Sequence, residues 1–394
     1  MNRNPFVESL TAELRSGCRN SAPPRVGLEL EQFLAGPDGS AAPFSCGVDV
    51  LHRMRPFYTE EQRSGGWLIR MGRSDCVVRL GPGGQLSCCV PPQPGLMQLR
   101  RGLERFSFEL ENALAAEGLT AHPQGCIPES ETDALPLLPE PGCSCLCACL
   151  SAAGPDGKRL LKGTASTCVT LDYADERDFS RKLAAACRLT PLLCLYAENT
   201  SDFGTAPDRE RFPRIRLAAR AGLPSSGFPA GAFDGMSFRD YALWLSRMPP
   251  FTLPEGDGIV CTGSVPNARL FSRRPVTGQD ASHVLRSVYP WVRACGGLEL
   301  RMADSLPMPR ALAFAALCRG LLCDARNLAR VEDAFGALGQ RETEDILRRM
   351  RTDGENVPVA GRPAAEWLVI LRLWAREALE PLEREMVMSS YEFI

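Results

Sequence analysis

The chain has 394 residues, with 45 Lys and Arg against 47 Asp and Glu and a formal net charge of −2. This length allows one large domain or up to about three small ones. The balanced charge argues against a general nucleic-acid or membrane-surface binder, and the 44% hydrophobic fraction argues against a mainly disordered chain. With no long apolar stretch and no apolar signal-peptide core at the N-terminus, the 17 cysteines are expected to be reduced thiols of a cytoplasmic protein.

The first part of the chain predicts both helices and strands. Apolar residues at helical spacing predict helices over 5–17 and 96–116. Alternating apolar and polar residues predict a strand over 25–34 and a hairpin or meander over 67–90. The segment 120–142 is rich in proline and acidic residues and is expected to be a loop.

The second part predicts fewer strands and ends in helices. We expect irregular structure over 200–234 and 252–282, where glycine and proline are frequent. The resulting class is α+β with antiparallel strands and a helical C-terminal part. The predicted elements are a strand over 164–173, a helix over 175–196 with Asp175 as N-cap, helices over 238–248 and 283–292, a strand over 297–302, and helices from Pro309 onward.

Common catalytic signatures are absent from the sequence. It contains no GxxxxGK[ST] phosphate-binding loop and no GxSxG nucleophile elbow. The three histidines, His52, His122 and His283, are few and scattered. A histidine-based zinc site or a Ser–His–Asp triad is therefore not expected.

Two pairs of charged residues lie at strand spacing. Glu29 and Glu31 in G-L-E-L-E-Q-F project to one face of a strand, as do Glu299 and Arg301 in G-L-E-L-R-M-A-D. Mg²⁺ prefers hard oxygen ligands that it shares with substrate phosphates. The first pair is therefore either a metal site or a solvated strand face. The second pair either holds a metal and a phosphate oxygen or forms an ordinary salt bridge.

Four cysteines alternate in the run from Cys143 to Cys149. On a strand they would share one face, and thiolates bind soft metals. The first and last would lie about 20 Å apart, which is too far for one tetrahedral site. The favoured interpretation is that these cysteines serve as small buried apolar residues.

Three motifs taken in order resemble the glutamate–cysteine ligase family of the plant and proteobacterial type. They are G-L-E-L-E-Q-F, P-G-G-Q-L and Y-P-W-V-R-A-C-G-G-L-E-L-R-M-A-D. The family typically shows G-x-E-x-E, then E-P-G-G-Q-x-E-x-S, then F-P-E-V-R followed by E-x-R-x-x-D. The resemblance implies a glutamine synthetase-like antiparallel sheet funnel surrounded by helices. It implies a catalytic domain over 1–310 and a helical extension over 311–394 packed on it.

The resemblance also implies an ATP- and Mg²⁺-dependent ligase of glutathione or related thiol biosynthesis. The γ-carboxylate of glutamate would be phosphorylated by ATP, and the amine of cysteine would attack the acyl phosphate. Such phosphoryl transfer depends mainly on positioning and charge neutralisation. The implied partners are small molecules, with neither nucleic acid nor a membrane, and the implied assembly is a monomer or homodimer.

The resemblance implies roles for particular residues. Glu29 and Arg301 are the implied catalytic groups, with Arg301 at the transferred phosphate. The implied metal ligands are Glu29, Glu31 and Glu299, and the implied nucleotide-binding residues are Arg301, Arg214 and Asn199.

The sequence departs from the family at two implied metal positions. Gly81 and Ser87 stand where the family has its third and fourth metal-binding glutamates, and Trp291 replaces the glutamate of P-E-V-R. Three interpretations follow. The chain is an active glutamate–cysteine ligase with an altered metal site, a ligase of the same mechanism for another acid or amine, or a catalytically impaired binding or regulatory homologue.

Overall fold

A computed structural model describes residues 4–200, 211–256, 258–272 and 274–388. Helices make up most of the regular structure in these ranges. They are α1 Pro5–Ser16, α2 Phe44–Met54, α3 Leu96–Glu117, α4 Glu129–Ala134, α5 Pro141–Ala153, α6 Gly157–Lys162, α7 Glu176–Tyr196, α8 Pro213–Arg220, α9 Phe238–Arg247, α10 Asn267–Leu270, α11 Gly278–Arg286, α12 Met308–Leu322, α13 Ala325–Phe335, α14 Gln340–Asp353, α15 Ala364–Ala378 and α16 Pro381–Met388.

The strands form one large antiparallel sheet and two small hairpins. The sheet has the strand order β10-β11-β7-β1-β5-β4-β3-β2, with β6 paired to the far end of β1. The hairpins are β8 with β9 and β12 with β13. The strands are β1 Val26–Ala35, β2 Glu60–Ser64, β3 Trp67–Arg73, β4 Cys76–Leu80, β5 Leu86–Gln93, β6 Thr120–His122, β7 Ser166–Leu171, β8 Phe251–Glu255, β9 Gly258–Gly263, β10 Val292–Ala294, β11 Leu298–Asp304, β12 Pro358–Val359 and β13 Arg362–Pro363.

Helices cover one face of the large sheet. The helix α12 contacts β1 and β7, α3 contacts β5, and α2 contacts β3 and β4. Leu28 and Leu30 of β1 are buried in the hydrophobic core. Because side chains alternate along a strand, Glu29 and Glu31 point to the opposite face. The sequence alternation in β1 therefore assigns one face to packing and the other to the charged site.

The structure confirms the α+β class and most of the predicted elements. The strands β1, β7 and β11 and the helices α1, α3, α7 and α9 lie where the sequence predicts them. Asp175 is the N-cap of α7, and its side chain accepts a hydrogen bond from the Asp178 N–H at 2.8 Å. In the described part of the chain, no helix is both long enough and apolar enough to cross a bilayer.

The cysteine run is helical, so the strand geometry considered for it is wrong. Pro141 occupies the first turn of α5, where its missing N–H costs nothing. Cys143 and Leu150, seven residues apart, are the buried positions of this helix. The spacing of the buried residues therefore follows the helical repeat, although the cysteines themselves alternate.

One cysteine of this run is oxidised, which corrects the expectation that all the thiols are reduced. Cys145 of α5 forms a disulfide with Cys261 of β9, 116 residues further along the chain. The helix α5 packs on the β8–β9 hairpin, and this packing brings the two sulfur atoms together. Sequence spacing gave no indication of this pair because the contact is tertiary.

Three segments expected to be irregular contain regular elements. The expected loop over 120–142 includes β6 and α4, the segment over 200–234 includes α8, and the segment over 252–282 includes the β8–β9 hairpin and α10. Part of the second segment lies outside the described residues. The helix expected over 283–292 instead spans Gly278–Arg286, because Thr277 and Asp280 form a capping box that fixes an earlier start.

The C-terminal helices pack against the helical side of the sheet. The helix α12 contacts β1, while α15 and α16 contact α12. Glu383 of α16 accepts hydrogen bonds from the Leu96 N–H at 2.7 Å and from Arg319 at 2.6 Å. The expected boundary at residue 310, between the catalytic domain and the helical extension, falls in the first turn of α12. This domain boundary stays a proposal.

Gln85 anchors the turn between β4 and β5. Its side-chain Nε2 donates to the carbonyls of Leu161, Lys162 and Thr164 at 3.2, 3.1 and 2.9 Å. Its Oε1 accepts from the Gly83 N–H at 2.9 Å. The turn is thereby tied to the end of α6 and the residues that lead into β7.

The Gln85→Ala substitution is expected to lower the free energy of unfolding by about 2–3 kcal/mol, because it leaves buried polar groups unpaired. Chemical denaturation followed by circular dichroism measures this. Gln93→Ala is the matched control, since in the described ranges the Gln93 side-chain amide donates its hydrogen bond to the nearby Pro91 carbonyl. An equal midpoint for the Gln85→Ala and Gln93→Ala variants would contradict the anchoring role.

Candidate active site

A cavity of about 590 Å³ opens on the charged face of the large sheet. This is within the usual size range of small-molecule sites. Strands of the sheet supply most of its charged lining, and α5 and α6 supply apolar side chains. The charged lining from the sheet is Glu29, Glu31, Arg70, Arg79, Arg293, Glu299 and Arg301, and the apolar lining from α5 and α6 is Leu146, Leu150, Leu160 and Leu161.

Arg79 and Glu29 form the central ion pair of the cavity. The Arg79 Nη2 donates to the Glu29 Oε1 at 2.6 Å, and the Arg79 Nε donates to the Ser87 hydroxyl at 3.2 Å. Burial by itself would raise the pKa of Glu29, but the guanidinium of Arg79, followed by those of Arg301 and Arg293, lowers that pKa below its usual value. Glu29 is therefore an ionised carboxylate at neutral pH.

Glu31 is held by the neighbouring strand. Its Oε2 accepts hydrogen bonds from the Ser166 N–H at 3.0 Å and from the Ser166 hydroxyl at 2.7 Å. Ser166 begins β7, which lies beside β1 in the sheet. One oxygen of this carboxylate is thus already occupied by protein donors.

Glu299 and Arg301 share one face of β11, as the sequence predicts. The Arg293 Nε donates to the Glu299 Oε2 at 2.6 Å, while the Arg301 Nη1 lies 3.6 Å from the same oxygen. The pairing of β10 with β11 sets this arrangement, because Arg293 lies directly opposite Glu299. Glu299 is therefore engaged mainly by Arg293, and the contact of Arg301 is longer than a hydrogen bond.

Arg214 and Asp304 form a buried ion pair beside the cavity. The Arg214 Nε donates to the Asp304 Oδ1 at 3.2 Å, and the Arg214 Nη2 donates to the carbonyls of Arg301 and Ala303 at 3.0 and 2.7 Å. Arg214 still contributes to the cavity wall. It lies under the end of β11 and supports the backbone that presents Arg301.

Asn199 does not join the other predicted site residues. Its Nδ2 donates to the carbonyls of Pro123 and Ser305, and its Oδ1 accepts from Arg310. It does not contribute to the described lining of the cavity. Its amide connects segments behind the site, so its position indicates a structural contribution.

The sequence does not predict the contributions of Arg79, Arg293 and Asp304 to the site. The first two lie in C-V-V-R-L and P-W-V-R, where strand alternation alone does not show which charged partner they meet. Asp304 ends the motif that contains Glu299 and Arg301, and that continuity was a usable signal. The ion pairs themselves depend on strand pairing between distant segments.

Two cysteines, Cys89 and Cys168, also line the cavity. Burial raises the pKa of Cys89 to about 12 and that of Cys168 to about 11. Both thiols are therefore protonated at neutral pH, and neither has the lowered pKa typical of a nucleophilic cysteine.

The donor set does not match a ready-made Mg²⁺ site. Within the described ranges, only the sulfur atoms of Cys145, Cys149 and Cys261 form a group of three or more His, Cys, Asp or Glu ligand atoms within 4.8 Å of one another. The glutamates named by the resemblance do not converge in this way, and each already pairs with arginine or serine. Two of these three sulfur atoms are joined in the Cys145–Cys261 disulfide, and soft sulfur ligands bind Mg²⁺ poorly.

Comparison of sequences finds plant enzymes of one kind. No protein-family model matches the chain. The chloroplastic glutamate–cysteine ligase of Brassica juncea is 24% identical over 368 residues, which cover 89% of this chain and 70% of the relative. Those of Arabidopsis thaliana and Solanum lycopersicum are 24% and 25% identical, each over 89% of this chain and 69% of the relative.

Comparison of structures gives weaker similarities. A bifunctional glutathione synthetase from Pasteurella multocida aligns with a TM-score of 0.42 and 12% identity, over 97% of this chain and 47% of that one. A chain from the complex between the prokaryotic ubiquitin-like protein Pup and its ligase PafA aligns with a TM-score of 0.44 and 12% identity, over 97% and 64%. This chain therefore spans less than two thirds of either solved chain.

Proposed function

We propose that the chain is a divergent member of the glutamate–cysteine ligase family, to whose plant enzymes it is 24–25% identical. We propose further that its cavity performs ATP-dependent ligation of the glutamate γ-carboxylate to the amine of cysteine. One observation carries the proposal beyond sequence similarity. Glu29, Glu299 and Arg301, which lie in two motifs about 270 residues apart, line the same cavity. Arg79 and Arg293 add positive charge to this group.

In the proposed reaction, an oxygen of the glutamate γ-carboxylate attacks the γ-phosphorus of ATP, and ADP leaves. The amine of cysteine then attacks the acyl carbon, the bond from that carbon to the phosphoryl oxygen breaks, and the departing phosphate takes up the proton that the amine loses. Both steps move negative charge onto phosphoryl or acyl oxygens, and fixed cations stabilise that charge.

Arg301 is the proposed catalytic arginine. Its side chain is 22% exposed and its Nη1 lies 3.6 Å from the Glu299 Oε2, so no short hydrogen bond to that carboxylate has to be broken when it turns to a phosphoryl oxygen. Arg293, at 2.6 Å from the same carboxylate, keeps Glu299 paired. This arrangement supports a division in which Arg293 holds Glu299 and Arg301 contacts the substrate.

The remaining site residues receive supporting roles in this proposal. Ionised Glu29 orients the Arg79 guanidinium in the cavity, and Arg214 is proposed to contact the nucleotide from the wall. Asn199 is a positioning residue behind the cavity. We further propose that the protein acts on small-molecule substrates, that it is a monomer or a homodimer, and that it is cytoplasmic.

The decisive assay is ADP release by the purified protein with ATP, Mg²⁺ and glutamate, with and without cysteine. We expect ADP to form only when cysteine is present and to match γ-glutamylcysteine measured by mass spectrometry. The Arg301→Ala protein, purified in the same way, controls for contaminating ATPases.

Two other outcomes select the alternatives. ADP formation with a different acid or amine would assign a ligase of the same mechanism and another substrate. ATP binding without turnover for any substrate pair would assign a catalytically impaired homologue. Gly81 and Ser87, which bring no carboxylate to the cavity, favour this last alternative.

A further inference from the structure

We infer that the cavity binds the phosphates of a polyanionic ligand directly through arginine side chains, with Arg79 in the place of a bridging divalent cation. The inference rests on the proposed function, because that function supplies a nucleoside triphosphate as the ligand. It goes beyond that function because it assigns the neutralisation of the phosphate charge to arginine side chains of the protein.

The charge of the cavity lining supports this assignment. Six arginines and three glutamates line it, and one of the arginines, Arg214, is already paired with Asp304 beside the cavity. The remaining difference is 5 − 3 = +2, although the whole chain has a formal charge of −2. Two of the arginines, Arg70 and Arg286, lie outside the ion pairs described above. The positive charge is therefore concentrated where the ligand binds, and this favours an anion without added metal.

Arg79 stands among the groups that the resemblance assigns to metal binding. Its guanidinium contacts Glu29 at 2.6 Å and the Ser87 hydroxyl at 3.2 Å. The register of β4, β5 and β1 places Arg79, Ser87 and Glu31 in one row across the sheet. Arg79 reaches Glu29 diagonally, because Glu29 lies two residues from Glu31 on the same face of β1. A permanent cation thus occupies the space between side chains on three neighbouring strands. A metal ion there would be repelled by that cation.

The turn that follows Arg79 has little room for a side chain at Gly81. A Cβ atom at Gly81 would lie 2.8 Å from the Gln85 Oε1. Gln85 is held by three carbonyls and by the Gly83 N–H, so it has little freedom to move away. A glutamate at position 81 would therefore disturb the anchored turn. The glycine found there contributes no negative charge to the cavity.

Arginine suits this task. A guanidinium presents several N–H donors in one plane and forms paired hydrogen bonds with phosphate oxygens. Its charge does not depend on pH in the physiological range, and the carboxylate of Glu29 raises the pKa of Arg79 further above its usual value. The cation is thus always present, whether or not Mg²⁺ is available.

Isothermal titration of the full chain with ATP tests the inference. One buffer contains EDTA and the other contains excess MgCl₂, at equal ionic strength. We expect ATP to bind in EDTA at least as tightly as in MgCl₂. Binding that appears only with MgCl₂ would overturn the inference but leave the proposed ligase function intact. Absence of binding in both buffers would overturn both.

Variants of Arg79 make the test specific. Arg79→Ser is expected to lose about 10–100-fold of the affinity in EDTA, since a charge-assisted hydrogen bond is lost. It should recover part of that affinity in MgCl₂, because Glu29 is then free to accept the ion. Arg79→Lys keeps the charge and should lose less.

Arg53→Ser is the matched control, because Arg53 forms a 2.6 Å ion pair with Glu117 outside the cavity. It should bind ATP like the unmodified chain. Equal loss of ATP affinity by the Arg79→Ser variant in both buffers would indicate a structural role for Arg79 and overturn its assignment as the substitute cation.

Discussion

Replacing Arg301 with alanine is expected to lower kcat for ligation by about 10²–10³-fold, the usual effect of removing one preorganised charge from a site where charge develops. Arg301 projects from β11 into the cavity, and its ion pair among the described residues is the 3.6 Å contact with Glu299. Its removal therefore takes positive charge from the ligand side and leaves Glu299 paired with Arg293. Steady-state ADP release at saturating substrates measures the effect.

The control for this prediction is Arg100→Ala, which removes an exposed arginine that pairs with Glu104 on α3. Its kcat should match that of the unmodified chain. Arg301→Lys should recover only part of the activity, because an ammonium keeps the charge but not the planar pair of donors. A normal kcat for Arg301→Ala would rule out a catalytic role for this residue.

The Asp304→Ala substitution is expected to lower the free energy of unfolding by about 3–5 kcal/mol, because it leaves the Arg214 guanidinium buried without its carboxylate. Asp304 also accepts hydrogen bonds from the Asn199 N–H at 3.0 Å and the Thr200 hydroxyl at 2.6 Å. A Cβ at Gly125 would lie 2.3 Å from the Asp304 carboxyl carbon, so the surrounding backbone is built closely around this group.

Chemical denaturation followed by circular dichroism checks the Asp304 prediction. Asp38→Ala is the comparison variant, because Asp38 is exposed and its carboxylate accepts hydrogen bonds from Ser40 in its own turn. Asp38→Ala should leave the denaturation midpoint nearly unchanged. If the Asp304→Ala variant were as stable as Asp38→Ala, the ion pair and hydrogen bonds of Asp304 would not stabilise the folded state. Asp304→Asn should fall between them, since it keeps the shape and loses the charge.

The Arg301 and Asp304 substitutions are expected to affect different properties of the protein, namely catalysis and folding stability. Arg301 contacts the ligand in our proposal, whereas Asp304 acts through Arg214, which holds the carbonyls of Arg301 and Ala303. Loss of Asp304 is therefore expected to reduce stability first and activity only through the position of β11. Loss of Arg301 should reduce activity with little change in stability.

Strand alternation made several parts of the fold and site predictable. In β1 the apolar and acidic positions alternate, and the same holds for the polar positions of β11, so their shared faces followed from the sequence. Helices with a clear apolar spacing, such as α3 and α7, were equally evident. The alternating cysteines wrongly suggested a strand because cysteine is accepted in both helices and strands, whereas the backbone over Pro141–Ala153 is helical.

The sequence by itself determined the α+β class, the charged strand faces that contain Glu29 and Glu299, and the likeness to glutamate–cysteine ligases. Only the tertiary structure decided which charges meet. Arg79 reaches Glu29 because β4 and β1 both pair with β5, and Cys145 reaches Cys261 because α5 packs on β9. A local pattern gives the direction of a side chain from the backbone repeat. Its partner depends on strand register and packing between distant segments, which no local pattern contains.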